Sequence, residues 1–208
     1  MNTEEAFDNL CNLRFPHNTL YGRGIVDINE HLPTLRKYAS QCEHVTEMGV
    51  RFAVSTYALL IAKPKKVISY DLNYKFFKPY ESEIKLFALG CDTSFQFIEA
   101  DVLKTDIEET DLLFIDTLHT YNQLSQELRK HESKVRKWII LHDTVTFGDR
   151  DEDFYQNGEI SEHVKDMKID NKGLMKAFMD FLKENKKWKV KEHFTNNNGL
   201  TVLERIGT

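Results

Sequence analysis

Between residues 44 and 205, short apolar runs alternate with stretches whose apolar positions recur every three or four residues. The runs at 44–49, 66–71 (KVISYD), 95–99, 112–116 (LLFID) and 138–141 (WIIL) have few polar interruptions, the pattern of strands buried on both faces. Three helices are predicted between them. The first spans 57–62, with Ser55 and Thr56 supplying N-cap chemistry. The second spans 74–89, where Phe76, Phe77, Tyr80, Ile84, Phe87 and Ala88 keep helical spacing. Pro79 predicts a start or a kink inside it, and Gly90 ends it. The third spans 121–135, with Tyr121, Leu124, Leu128 and Val135 on one face. A further helix over 173–185 turns Leu174, Met175, Phe178, Phe181 and Leu182 inward. Strand-like runs at 189–195 and 200–205 then meet across Asn196, Asn197, Asn198 and Gly199, residue types that tolerate the positive φ of a hairpin turn. The fold class is therefore α/β, a mostly parallel sheet covered by helices and ending in an antiparallel hairpin.

Two pieces stand outside the alternation. Residues 1–43 form an N-terminal extension with Ile28, Leu32, Leu35 and Ala39 in helical register. Residues 146–171 are acidic, weakly periodic and too long for an ordinary connection, so a lid-like insertion is expected. The length of 208 residues suits one domain over 1–208. A net charge of -5 argues against nucleic acid as a partner, and the lysine-rich stretch at 183–191 is broken by Glu184. Cys11, Cys42 and Cys91 have neither metal-ligand nor disulfide spacing. The longest apolar run, 57–62, is far short of the roughly twenty residues of a membrane span. A cytoplasmic protein acting on a small molecule, free or as a homo-oligomer, is the expectation, with no nucleic-acid or membrane partner.

Ligands of open α/β sheets bind outside the carboxyl ends of the strands. Those ends carry Glu47 and Gly49, then Asp71, Asp101, Asp116, and His142 with Asp143. Every predicted parallel strand delivers an acidic residue to one edge, which suits a cationic nucleoside. Asp71, 24 residues after Glu47, is placed to accept ribose hydroxyls, with Leu72 beside it. Asp101 and Val102 offer a carboxylate to an adenine amino group and an apolar wall to its face. Glu47 and Asp116 favour a sulfonium and an ammonium, and Gly49 permits close backbone approach. Ser55 and Thr56 complete the expected binding set. The plainer reading is that Asp71, Asp101 and Asp116 cap turns or helices and that His142 and Asp143 form an orienting pair. Gly22, Arg23 and Gly24 read as a turn or as a closure over the ligand, while His131 and His193 receive no role.

The segment EMGVRFAVST resembles the first motif of small-molecule O-methyltransferases, although Phe52, Ala53 and Val54 stand where further glycines are usual. FIDTLHTY and IILHDT resemble the fourth and fifth strand ends of catechol-type O-methyltransferases and cephalosporin-hydroxylase-like methyltransferases. The resemblance covers 44–205 and implies a class I S-adenosylmethionine-dependent methyltransferase with a Rossmann-like, doubly wound, seven-stranded sheet. It implies S-adenosylmethionine as cofactor, S-adenosylhomocysteine as product, and a hydroxyl of a sugar or diol as acceptor. It makes Asp116 a metal-binding aspartate and His119 the catalytic base. His142 and Asp143 match a paired metal site, with His-Asp where Asp-Asn is usual, so the catalytic set is His119, Asp116 and His142. A histidine is a weak base toward an alcohol of pKa roughly 15, and a divalent cation on that hydroxyl narrows the gap. Oxygen ligands suit magnesium; a histidine ligand favours manganese or zinc. Two other readings stay open: a nicotinamide-dependent oxidoreductase, with Asp71 on an NAD ribose but without G-x-G-x-x-G, and a non-catalytic S-adenosylmethionine-binding module.

Overall fold

The computed structural model describes residues 3–12, 27–152 and 170–207. Its strands are β1 (His44–Met48), β2 (Lys66–Asp71), β3 (Ser94–Glu99), β4 (Thr110–Ile115), β5 (Val135–His142), β6 (Trp188–Phe194) and β7 (Leu200–Arg205). They form one sheet in the order β3-β2-β1-β4-β5-β7-β6. The first five pair in parallel, and β7 lies antiparallel between β5 and β6. The doubly wound sheet with a terminal hairpin is as expected. From β1 the chain winds outward through β2 to β3; from β4 it winds the other way to β5. The reversal falls between β1 and β4, where such sheets open a crevice.

Side-chain alternation along the strands feeds two cores. Leu112 and Phe114 of β4 face one core with Val45, Val67 and Ile140. That face is covered by α1 (Thr3–Cys11), α2 (Leu32–Ala39), α3 (Val54–Ile61), a short α4 (Tyr74–Phe77) and α5 (Glu81–Gly90). Leu113 and Ile115 face the other core with Met48, Ile68 and Leu141, under α6 (Tyr121–His131) and α7 (Gly173–Glu184). Leu32 and Leu35 of the N-terminal extension are fully buried in the first core.

Several expected boundaries move. Pro79, with no N–H to donate, splits the 74–89 helix: α4 and α5 are joined by a 3-10 turn, Lys78–Tyr80. The 121–135 helix stops at His131, because Val135 pairs with Thr110 and already belongs to β5. β3 is only half buried, since it is an edge strand rather than a central one. Residues 22–24 and most of the 146–171 insertion (153–169) lie outside the described residues. The stem of that insertion is fastened by Asp151, whose carboxylate accepts the N–H groups of Tyr121, Asp170, Asn171 and Gly173. Among the described residues no helix is long and apolar enough to cross a membrane.

Candidate active site

The crevice is built on the loop between β1 and α3. Gly49, Arg51 and Ala53 all adopt left-handed backbone, with φ of 85°, 46° and 61°. The loop thus keeps the alternating left-handed conformations of a glycine loop with one glycine in it. Asp71, at the end of β2, holds it in place: Oδ2 accepts the N–H groups of Val50 (2.8 Å) and Arg51 (2.9 Å), and Oδ1 accepts that of Asn73 (2.9 Å). Gly49 is required by its neighbour rather than by a ligand alone, because a Cβ there would overlap the carbonyl of Asp116.

Glu47 corrects an expectation. Its side chain faces inward, fully buried, and its carboxylate accepts hydroxyls from Ser55 (2.5 Å), Thr56 (2.8 Å) and Ser69 (2.5 Å). Burial pushes its pKa up to about 7 against the pull of those hydroxyls. It ties β1, β2 and α3 together and lies behind the crevice. Ser55 and Thr56 are corrected with it. They are not caps, since α3 starts at Val54 after a left-handed Ala53 with no side-chain cap; their hydroxyls reach back to Glu47.

The crevice has two lobes. The larger, about 320 Å³, is lined by Asp71, Leu72, Asp101 and Val102, four residues singled out from the sequence. Asp101 also serves its own turn, accepting the N–H of Leu103 (2.9 Å) and pairing with Lys104 (3.0 Å). The smaller lobe, about 180 Å³, is lined by Asp27, Ser55, His119 and Asp143. Gly49, Val50, Arg51, Asp116 and Thr117 line both lobes.

At the junction the ends of β4 and β5 bring together Asp116, His119, His142 and Asp143. His119 Nε2 lies 2.8 Å from Asp143 Oδ2 and 3.5 Å from Asp116 Oδ1. His142 Nδ1 lies 3.1 Å and 3.4 Å from the same two carboxylates. Burial opposes charge on both histidines, but the carboxylates overcome it and raise both well above the usual histidine value. Burial alone would raise Asp116; the two histidines instead hold it at about 2, and they hold Asp143 below the usual carboxylate range. The ring of His119 stacks on Phe147 at 4.8 Å, and its Nδ1 donates to Glu152 (2.8 Å).

No protein-family model matches the chain, and no curated protein does. Solved structures match over nearly its whole length. The O-methyltransferase TomG from Streptomyces achromogenes, in complex with S-adenosylmethionine, is 12% identical with a TM-score of 0.61, covering 99% of this chain and 86% of that one. The O-methyltransferase from Bacillus cereus, in complex with S-adenosylhomocysteine, is 14% identical with a TM-score of 0.61, covering 99% and 91%. The N-methyltransferase NodS from Bradyrhizobium japonicum, also with S-adenosylhomocysteine, is 12% identical with a TM-score of 0.61, covering 99% of each. The chain has the fold of these methyltransferases.

Within this methyltransferase fold the acidic end of the cluster fits a divalent cation. Asp116, His142 and Asp143 each offer a ligand atom, all within 4.8 Å of one another. Asp143 Oδ1 is buried with no hydrogen-bond partner among the described residues. The cluster serves either as imidazolium–carboxylate pairs or as a cation site, since His142 Nδ1 cannot carry a proton and ligate a metal at once. Backing groups come from far away in sequence. His142 Nε2 donates to the carbonyl of Asn197 (3.2 Å), leaving Nδ1 toward the carboxylates. His31 Nε2 donates to the carbonyls of Asn196 (3.0 Å) and Asn197 (3.2 Å), and Asn198 Nδ2 donates to Asp27 (3.0 Å). Asp27, His31, Glu152 and Asn197 were not foreseen; the run of three asparagines in the hairpin was the available signal, read as a turn alone. Asn197, Asn198 and Gly199 do carry positive φ, but the turn also docks on the site.

Proposed function

We propose that the chain is an S-adenosylmethionine-dependent methyltransferase that methylates a hydroxyl of a small molecule, a sugar or a diol. The observation that carries this reading is the division of the crevice. Nucleoside-binding residue types line the larger lobe, a proton-moving cluster lines the smaller, and both meet at Gly49 and Asp116. Asp71 accepts a ribose hydroxyl with the one acceptor site its three backbone N–H bonds leave free, and Asp101 with Val102 takes the edge and face of the base. Asp116 puts negative charge at the junction, where a sulfonium is favoured.

The cofactor, when bound along Asp71, Asp101 and Asp116, would supply an electrophilic methyl group, and an acceptor hydroxyl would have to give its proton to the protein. With a cation on the carboxylates, His119 Nε2 would give up the proton it shares with Asp143 and would be the nitrogen placed to take the hydroxyl proton, with Glu152 holding the opposite ring nitrogen. A cation held by Asp116, His142 and Asp143, magnesium or manganese, would acidify that hydroxyl. The cluster favours oxygen over nitrogen as acceptor, because a hydroxyl must shed its proton.

The alternatives lose ground to specific features. A dinucleotide-binding sheet continues in parallel past its fifth strand, whereas here β7 intervenes antiparallel between β5 and β6. A non-catalytic module rested on the glycine-poor loop, yet the left-handed conformations are retained there. Mass spectrometry of the purified protein is the test: a copurifying S-adenosyl nucleoside supports the reading, and a copurifying dinucleotide contradicts it.

A further inference from the structure

Arg51 is an unusual residue for its position. It holds φ at 46°, a conformation that costs an L-residue on the order of 1 kcal/mol and that glycine adopts freely. A long cationic side chain therefore stands where the backbone favours none. It lines both lobes of the crevice. Its guanidinium lies over the ring of Phe52, 5.0 Å from the centroid, and Phe52 in turn meets Phe76 edge-on. Among the described residues no carboxylate pairs with it.

Several of the other side-chain donors lining the crevice are engaged. Ser55, in the smaller lobe, donates to Glu47. Thr117, in both lobes, donates its hydroxyl to Glu127 (2.7 Å), and Gln123, in the larger lobe, donates to the same carboxylate (2.7 Å). His119 is surrounded by Asp116, Asp143 and Glu152. Arg51 is the one lysine or arginine lining either lobe among the described residues, and it shares the junction with Asp116. A free guanidinium and a carboxylate flanking one junction complement a zwitterion, and the methionyl end of the cofactor is an α-amino acid carrying both charges.

We propose that Arg51 recognises the carboxylate of the cofactor's amino-acid end and makes the chain selective for cofactors that retain it. The inference rests on the methyltransferase reading. A guanidinium presents a planar fork of donors that matches a carboxylate in a way a single hydroxyl cannot.

The experiment compares two probes by calorimetry: S-adenosylhomocysteine, which has the carboxylate, and 5′-methylthioadenosine, which keeps the nucleoside and thioether without it. Arg51→Gly is the chosen variant, because glycine suits the left-handed backbone and the fold is kept; a thermal melt checks this. Wild type is expected to prefer S-adenosylhomocysteine. Arg51→Gly should weaken S-adenosylhomocysteine about tenfold or more while leaving 5′-methylthioadenosine within about twofold. Unchanged S-adenosylhomocysteine affinity in Arg51→Gly overturns the assignment and leaves the methyltransferase reading standing. Equal weakening of both probes also overturns it, because the side chain then serves the nucleoside or the loop. Wild type that binds neither probe overturns the methyltransferase reading, and the Arg51 assignment with it.

Discussion

A Cβ atom on Gly49 would stand 1.9 Å from the carbonyl oxygen of Asp116. The turn after β1 and the end of β4 are thus in backbone contact at the point where strand order reverses, and Asp116 N–H completes the contact by donating to the carbonyl of Met48 (2.9 Å). Gly49→Ala combines that overlap with an unfavourable φ, so it should destabilise the fold by roughly 2–4 kcal/mol. Ala53→Gly should be nearly neutral: the buried methyl lost is worth about 0.8 kcal/mol, offset by about 1 kcal/mol of relieved left-handed strain. Urea denaturation of both variants checks the contrast, and two equal losses would contradict it.

Glu47 titrates at about 7 in the folded chain against an ordinary 4.5, first because it is buried. Its folded pKa is raised, so the stability it contributes is fully present below about pH 4.5 and is lost as pH rises through 7. Glu47→Gln should remove that loss. The stability difference between wild type and variant should change by on the order of 1–3 kcal/mol between pH 5 and pH 8. A difference that stays flat across that range would mean Glu47 is ionised throughout.

Much of this site was legible in the chain because strand ends are local features. Apolar runs closing on Asp71, Asp116 and His142 mark three strand ends on one edge of the sheet without any knowledge of strand order. What escaped depends on contacts across long separations. Glu47 sits on the inward-facing side of β1, which only its pairing and the hydroxyls of Ser55, Thr56 and Ser69 reveal. Asn197 reaches His142, and Glu152 reaches His119, through chain reversals that no local period encodes. Phe52, Ala53 and Val54 read as an eroded glycine loop, whereas the backbone shows the left-handed positions to be 49, 51 and 53. Conformation was retained where residue type was not.

Asp71 pins the loop and is proposed to hold the cofactor ribose as well. Asp71→Ala removes the acceptor of the Val50 and Arg51 N–H groups together with that proposed ribose contact. S-adenosylhomocysteine affinity should fall by on the order of 1.5–3 kcal/mol. An unchanged Kd by calorimetry would leave Asp71 with loop pinning alone.

Turnover should depend on His119 far more than cofactor binding does. Once a panel of sugars, catechols and hydroxylated acids has supplied an acceptor, His119→Ala should lower kcat by about 10²–10⁴-fold, as loss of a general base does. Chelation should lower the rate, and magnesium or manganese should restore it. Full activity in His119→Ala would falsify the base assignment and turn attention to His142. Activity indifferent to chelator would make His142 and Asp143 an orienting pair.

The most direct test of the methyltransferase reading is the thermal stability of the whole chain with S-adenosylhomocysteine and, separately, with NAD. A ligand at a hundred times its Kd adds about 2.7 kcal/mol, which for a chain of this size is roughly 5–10 °C in Tm. The account predicts that shift with S-adenosylhomocysteine and nothing comparable with NAD. A shift with NAD and none with S-adenosylhomocysteine would contradict it.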